Sequence, residues 1–196
     1  MGQRSFGISD AKAYPVTTEG DLCAGGVVTP VYGDGIDVGC VQEFSWNEEV
    51  VEAELKGDDT ICGDVSRVQK ISFKIKHGGL NPELLEALLG LTGADFTVAT
   101  EDGRRTKRKK GDGRPRFGLI VQTIQDDEEK DIHLLLWNCR LKADPGATLG
   151  TEAYVEKELE GTAYLDLNTC DTFYDFIQHH ESVIDIPAAW PGSTNY

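Results

Sequence analysis

The run His179, His180 and Glu181 brings together residue types that could hold a metal ion. Adjacent residues point to opposite faces of a strand and stand about 100° apart around a helix, so the run does not converge on one ion. A zinc centre made within one element needs a spacing such as H-x-x-x-H or H-E-x-x-H, and neither occurs. GDDTICGD offers Asp58, Asp59 and Asp64 without the ordered D-x-[DN]-x-[DN]-G series of a calcium loop, and reads as an acidic turn. The fragments GDGID and GDGRP lack the Lys-Ser/Thr ending of a phosphate-binding loop, and no G-x-S-x-G is present. His77 and His133 lie in strand-like segments and read as structural histidines. The five cysteines (Cys23, Cys40, Cys62, Cys139 and Cys170) are scattered without a C-x-x-C pair, and are expected to be reduced and mostly buried. The sequence therefore predicts no catalytic residue, no metal and no cofactor, and a protein that is not an enzyme.

The elements that would carry such residues are mostly strands. With 196 residues and 22 glycines the chain suits one turn-rich β domain. Residues 1–22 are polar and aperiodic and read as an N-terminal arm, 23–182 as the β domain, and 183–196, with two prolines and Trp190, as a C-terminal arm. VVTPVY (27–32) is demoted to an edge strand by Pro30. In CVQEFSWNEEVVEAELK (40–56) Phe44 and Trp46 share one parity and Val51, Ala53 and Leu55 the other, which predicts a β-bulge near 47–50. VSRVQKISFKIKH (65–77) alternates cleanly, Ile71, Phe73 and Ile75 inward and Lys70, Ser72, Lys74 and Lys76 outward. Pairing the two segments with Val51 opposite Ile71 sets Glu52 against Lys70 and Glu48 against Lys74.

Asn81, Pro82 and Glu83 followed by LLEALLG predict one helix over about 81–90, capped by Asn81 and stopped by Gly90. DFTVAT (95–100) and RFGLIVQTI (116–124) flank a basic loop, 103–116. DIHLLLWNCRLK (131–142) is apolar on both parities, which predicts a strand covered on both faces by its own sandwich or by a neighbouring subunit. EAYVEKELEGTAYLD (152–166) alternates with an acidic outer face, and TFYDFIQHHES (172–182) is a short amphipathic strand or turn.

The formal charge of −15 opposes gripping nucleic acid through phosphates. Eight of the 19 basic residues nevertheless fall in the loop: Arg104, Arg105, Lys107, Arg108, Lys109, Lys110, Arg114 and Arg116. No apolar run is long enough for a membrane span and the first residues carry no signal-peptide core, so a chain made and kept in a cytosol is expected.

In their order, the turn LKGDD (55–59), VQKISFKIKHG running into NPELLEALLG, RFGLIVQTI, DIHLLLWNCRLK, and LEGTAYLD before FYDFIQHHESV resemble the major tail tube protein of long non-contractile-tailed (siphovirus-like) bacteriophages. The resemblance covers about 40–184, and the basic loop departs from it where relatives are often rich in Gly and Ser. It implies a mainly β, sandwich- or barrel-like tail tube fold with one flanking helix, to which the sequence adds the extended N- and C-terminal arms. It also implies hexameric rings that stack into a tube of the virion tail, synthesised in the host bacterial cytoplasm. The partners implied are further copies of itself, the tape-measure protein, the tail terminator and the baseplate or distal tail proteins, with DNA as cargo that must not stick and no membrane. A virion head–tail joining, tail terminator or decoration protein is the alternative.

A DNA conduit is served by an acidic wall, since phosphate contacts would trap the duplex. Glu48, Glu52, Glu54, Glu152, Glu156, Glu158 and Glu160 are the candidates for facing the lumen. Arg104, Arg105, Lys107, Arg108, Lys109, Lys110 and Arg114, with Trp190 as an anchor in the C-terminal arm, are the candidates for inter-subunit or inter-ring contact.

Overall fold

A computed structural model describes residues 5–18, 30–57, 60–79, 81–98, 101–107, 113–125, 131–142, 156–167, 170–179 and 184–191. The fold is mainly β with a single short helix among the described residues. The strands are β1 (Ser5–Thr18), β2 (Val31–Tyr32), β3 (Ile36–Asp37), β4 (Val41–Gly57), β5 (Thr60–Gly78), β6 (Thr92–Val98), β7 (Glu101–Lys107), β8 (Phe117–Gln125), β9 (Asp131–Leu141), β10 (Glu156–Tyr164) and β11 (Tyr174–Gln178). One antiparallel sheet runs β2-β1-β8-β9-β10-β5-β4, with β3 added on β1 and β11 on β9, while β6 and β7 form a separate hairpin. The sheet curls until β4 lies near β1 without pairing to it.

Alternation builds the interior. Ala11 and Ala13 of β1, Ile71, Phe73 and Ile75 of β5, Phe117, Leu119 and Val121 of β8, Leu134 and Leu136 of β9, and Leu159 and Ala163 of β10 share one buried cluster. The helix α1 (Pro82–Leu89) closes it with Leu84, Leu88 and Leu89. The Asn81 side chain accepts from the backbone N–H of Glu83 and Leu84, and Gly90 ends the helix in the left-handed region at φ 64°, as its sequence predicts. Gly161 of β10 is required by closeness, because a Cβ there would stand 2.2 Å from Phe73 Cζ.

Three expectations are corrected. Most of the N-terminal arm is strand β1, paired with β8 from Ser5↔Gln125 to Pro15↔Phe117, and Ala11, Ala13 and Tyr14 are fully buried. Ala11 and Ala13 fit the curled interior and Tyr14 lies on the other face, a combination that gives a weak hydrophobic pattern along the chain. The C-terminal arm, over 184–191, is a strap on the sheet's outer face, where Ile186 packs with Tyr14, Ile120 and Leu135 and with the half-buried Tyr32, Ile177 and Trp190. Strand β9 is thus covered on both faces within its own chain, and each aliphatic side chain kept from water there contributes about 1.5–3 kcal/mol. The third concerns cysteine: Cys40 is exposed and Cys170 is disulfide-bonded, while Cys139 alone of the described cysteines is buried and free. Spacing along the chain does not report which thiols approach in space.

The hairpin β4–β5 is formed in a different register from the one predicted. Glu48, not Val51, stands opposite Ile71, and Glu49 opposite Lys70. The bulge falls where expected, between Glu49 and Val50, but the extra residue is Gln69 of β5, since Val50 pairs with Val68. A displacement by three residues is odd, so it exchanges the two faces of β4.

Candidate assembly surface

Strand β10 pairs with β5 only from Ala163↔Ile71 to Glu156↔Gly78. Beyond that, among the described residues, Val50–Gly57 and Thr60–Val68 pair only with each other. Eight residues at roughly 3.3 Å each make a two-stranded arm about 26 Å long. Val50, Val51 and Val65 on it are 44%, 51% and 52% exposed. At the base of the arm Trp46 stacks near Phe44 and Phe176 at 5.8 Å, and Tyr174 meets Phe176 at 5.3 Å. Trp46 and Phe176 remain 43% and 52% exposed, so on the face of Val50 an aromatic patch continues the arm, while Val51 and Val65 lie on its other face.

The opposite face of β4, β5 and β10 carries a ladder of both signs. Lys76 pairs with Glu43 at 2.6 Å, Lys74 with Glu158 at 3.0 Å and with Glu160, and Lys70 with Glu49 at 3.0 Å. Lys142 Nζ donates to Ser72 Oγ at 2.9 Å, and Ser72 Oγ donates to Glu49. That hydroxyl and Lys70 hold Glu49 below the usual carboxylate range; Lys74 does the same to Glu160 and is itself raised by Glu160 and Glu158. These pairs are exposed, so they set register and surface charge more than stability.

The seven acidic candidates do not share one surface. Glu158 and Glu160 lie on the ladder and are paired with Lys74, which makes that face mixed in sign. Glu48 lies on the other face, accepting from Tyr174 Oη at 2.8 Å, and Glu52 is exposed on the arm. Tyr174 is raised by that hydrogen bond. Glu54 stands opposite Asp64 and Glu156 opposite Gly78 in register, and Glu152 lies outside the described residues. The odd register shift is the reason: it carries Glu48 and Glu52 to the face opposite Glu158.

The basic segment is partly a strand rather than a loop. Arg104, Arg105 and Lys107 belong to β7, opposite Asp95, Ala94 and Thr92 of β6. Arg114 Nη1 donates to Leu141 O at 2.9 Å and Arg116 Nη1 to Asn138 Oδ1 at 3.0 Å, so both brace β9 of their own chain. Arg108, Lys109 and Lys110 lie outside the described residues. Trp190, expected to reach a neighbour, stacks on Tyr32 at 4.6 Å and meets Tyr14 at 5.1 Å and Trp137 at 5.3 Å edge-on. A slot for its ring already exists at home.

Reading the sequence alone singled out neither Glu43, Glu49 and Lys142 of the ladder nor the patch of Trp46 and Phe176. The signal for Glu49 was its parity with Asn47 and Ser45, legible once the register is known. No protein-family model matches the chain, and no curated protein matches it. Among the described residues no helix is long and apolar enough to cross a membrane.

Proposed function

We propose that the chain is a structural subunit that assembles with copies of itself into stacked rings, forming the tail tube of a virion. The observation that carries this reading is the β4–β5 arm, which extends beyond the sheet with Val50, Val51 and Val65 in solvent. Two-stranded ribbons with apolar exposed side chains gain stability by lying against a further surface, and an unpaired strand edge is a template for another chain. The element order supports the same reading: a long hairpin, then a strand running into one Leu-rich helix, then central strands on a curled antiparallel sheet. The tape-measure protein and passing DNA are the lumen's occupants in this proposal. The carboxylates balanced by Lys70, Lys74 and Lys76 leave a ladder with little net charge to hold or repel them.

The test is negative-stain microscopy and sedimentation of the purified chain and of the double variant Val51→Asp, Val65→Asp. The wild type is expected to form long hollow fibres. The variant is expected to stay a folded monomer with an unchanged circular dichroism spectrum, because both side chains are already in water. Wild-type chains that remain single particles at high concentration, or fibres unaffected by the variant, refute the assignment. Single closed rings that never stack favour a joining, terminator or decoration protein instead.

A further inference from the structure

The strap face carries a side-chain group that assembly does not use. Asp131 opens β9, and the two-residue period of a strand puts His133 on the same face. Strand β11 pairs antiparallel with β9 through Ile177↔His133 and Gln178↔Ile132. The next residue, His179, donates its backbone N–H to Asp131 O at 3.1 Å, which continues the ladder and brings its side chain to the same face. Three residues from two elements therefore meet. His133 Nε2 is 2.8 Å from Asp131 Oδ2, the imidazole rings of His133 and His179 are 4.8 Å apart, and one ligand atom from each of the three lies within 4.8 Å of the others.

The surroundings suit an ion better than a solvated charge. Asp131 and His133 are fully buried and His179 is half-buried. Gln122 Nε2 at 2.8 Å and the backbone N–H of Ile184 at 3.3 Å both donate to Asp131 Oδ2, fixing that carboxylate, while its buried Oδ1 has no hydrogen-bond partner among the described residues.

We propose that Asp131, His133 and His179 form a binding site for one divalent transition metal of the zinc type. Two imidazole nitrogens and one carboxylate oxygen are a ligand set that zinc accepts, with the fourth tetrahedral position left to solvent. Bonds of about 2.0–2.1 Å place tetrahedral ligands roughly 3.3 Å apart. The Asp131–His133 pair is already near that spacing, and rotation of the half-buried His179 side chain closes the rest. Calcium and magnesium, which want six or more oxygens, are excluded by the same set. Since Asp131 Oδ2 also holds Ile184, the ion would lock the strap to the β9–β11 edge.

The full chain, stripped with chelator and dialysed, is titrated with Zn2+ and with Co2+ as a spectroscopic probe. The expected result is one equivalent bound, a tetrahedral cobalt spectrum, and a rise in the melting temperature that Mg2+ does not give. H179Q, at a half-buried position, should weaken binding at least about tenfold, since even outer-sphere partners cost that much, whereas H180Q should not. Ring 15N shifts of His133 and His179 in the wild type should change on zinc addition, which checks the site without any substitution. Sub-stoichiometric uptake, unmoved shifts, or H179Q binding as tightly as the wild type overturns the site and leaves the three residues as a hydrogen-bonded anchor. Uptake is read per chain, so its outcome is independent of whether tubes form.

Discussion

Gly118 lies on β8 between Phe117 and Leu119, whose side chains enter the core, so a side chain at 118 would face the strap. A Cβ built there stands 2.3 Å from Trp190 Cζ3, 2.6 Å from Cη2 and 2.7 Å from Cε3. Carbon pairs are most favourable near 3.5–4.0 Å, so in Gly118→Ala the indole must retreat by about 1 Å or more. Tyr32, Tyr14 and Trp137 enclose the ring and oppose that movement. Overpacking of this kind costs about 1–3 kcal/mol, and full ejection of the ring is bounded by the roughly 3–5 kcal/mol of removing a buried tryptophan. Against this, alanine restricts the unfolded chain and favours folding by about 0.4–1 kcal/mol, because Gly118 does not occupy the left-handed region. The net expectation is a loss of about 1–2 kcal/mol.

The sign should reverse once the obstacle is removed. In a Trp190→Ala background, Gly118→Ala is expected to stabilise by up to about 1 kcal/mol, giving a coupling near 2 kcal/mol. Urea unfolding of the four proteins, at a concentration where each is unassembled, measures the cycle. Equal effects of Gly118→Ala in both backgrounds would refute the reasoning and return Trp190 to a role outside its own chain.

Two smaller predictions accompany it, beside the arm variant and the metal titration above. Asn81→Ala removes the acceptor for the Glu83 and Leu84 N–H groups and should cost about 1 kcal/mol in urea unfolding, whereas Asn81→Asp should restore most of it. No loss in the alanine variant would mean that tertiary packing alone holds the helix. Burial pushes the Tyr32 phenol above its ordinary 10.0, and its hydroxyl donates to Trp137 O at 2.7 Å. An acid raised in the folded state contributes stability that is complete below the unfolded pKa and lost as pH rises beyond it. Stability should therefore fall more steeply above about pH 10 in the wild type than in Tyr32→Phe, and parallel pH curves would contradict that.

Much of the fold was legible in short windows, because side-chain periodicity and capping are local. Asn81, Pro82 and Gly90 bounded the helix, the alternation of Ile71, Phe73 and Ile75 gave β5 its buried face, and the double parity of 131–142 marked a strand covered on both sides. The parity change in 40–56 even located the bulge. What the local pattern could not supply was the place of the turn and the strand holding the extra residue: with Gly57 paired to Thr60 and Gln69 bulged in β5, Glu48 rather than Val51 came opposite Ile71 and the faces of Glu48 and Glu49 exchanged. The same limit hid β1, whose small Ala11 and Ala13 look polar in context yet fit a tightly curled interior. It also hid the slot for Trp190, which exists only because a glycine on β8 leaves room beneath the strap. Asp131 and His133 are far from His179 along the chain, and only the antiparallel pairing of β9 with β11 makes them neighbours. Composition and periodicity determined most of the strands, β1 and β7 excepted, while pairing between distant segments, chosen by the packing of whole faces, decided which side chains meet.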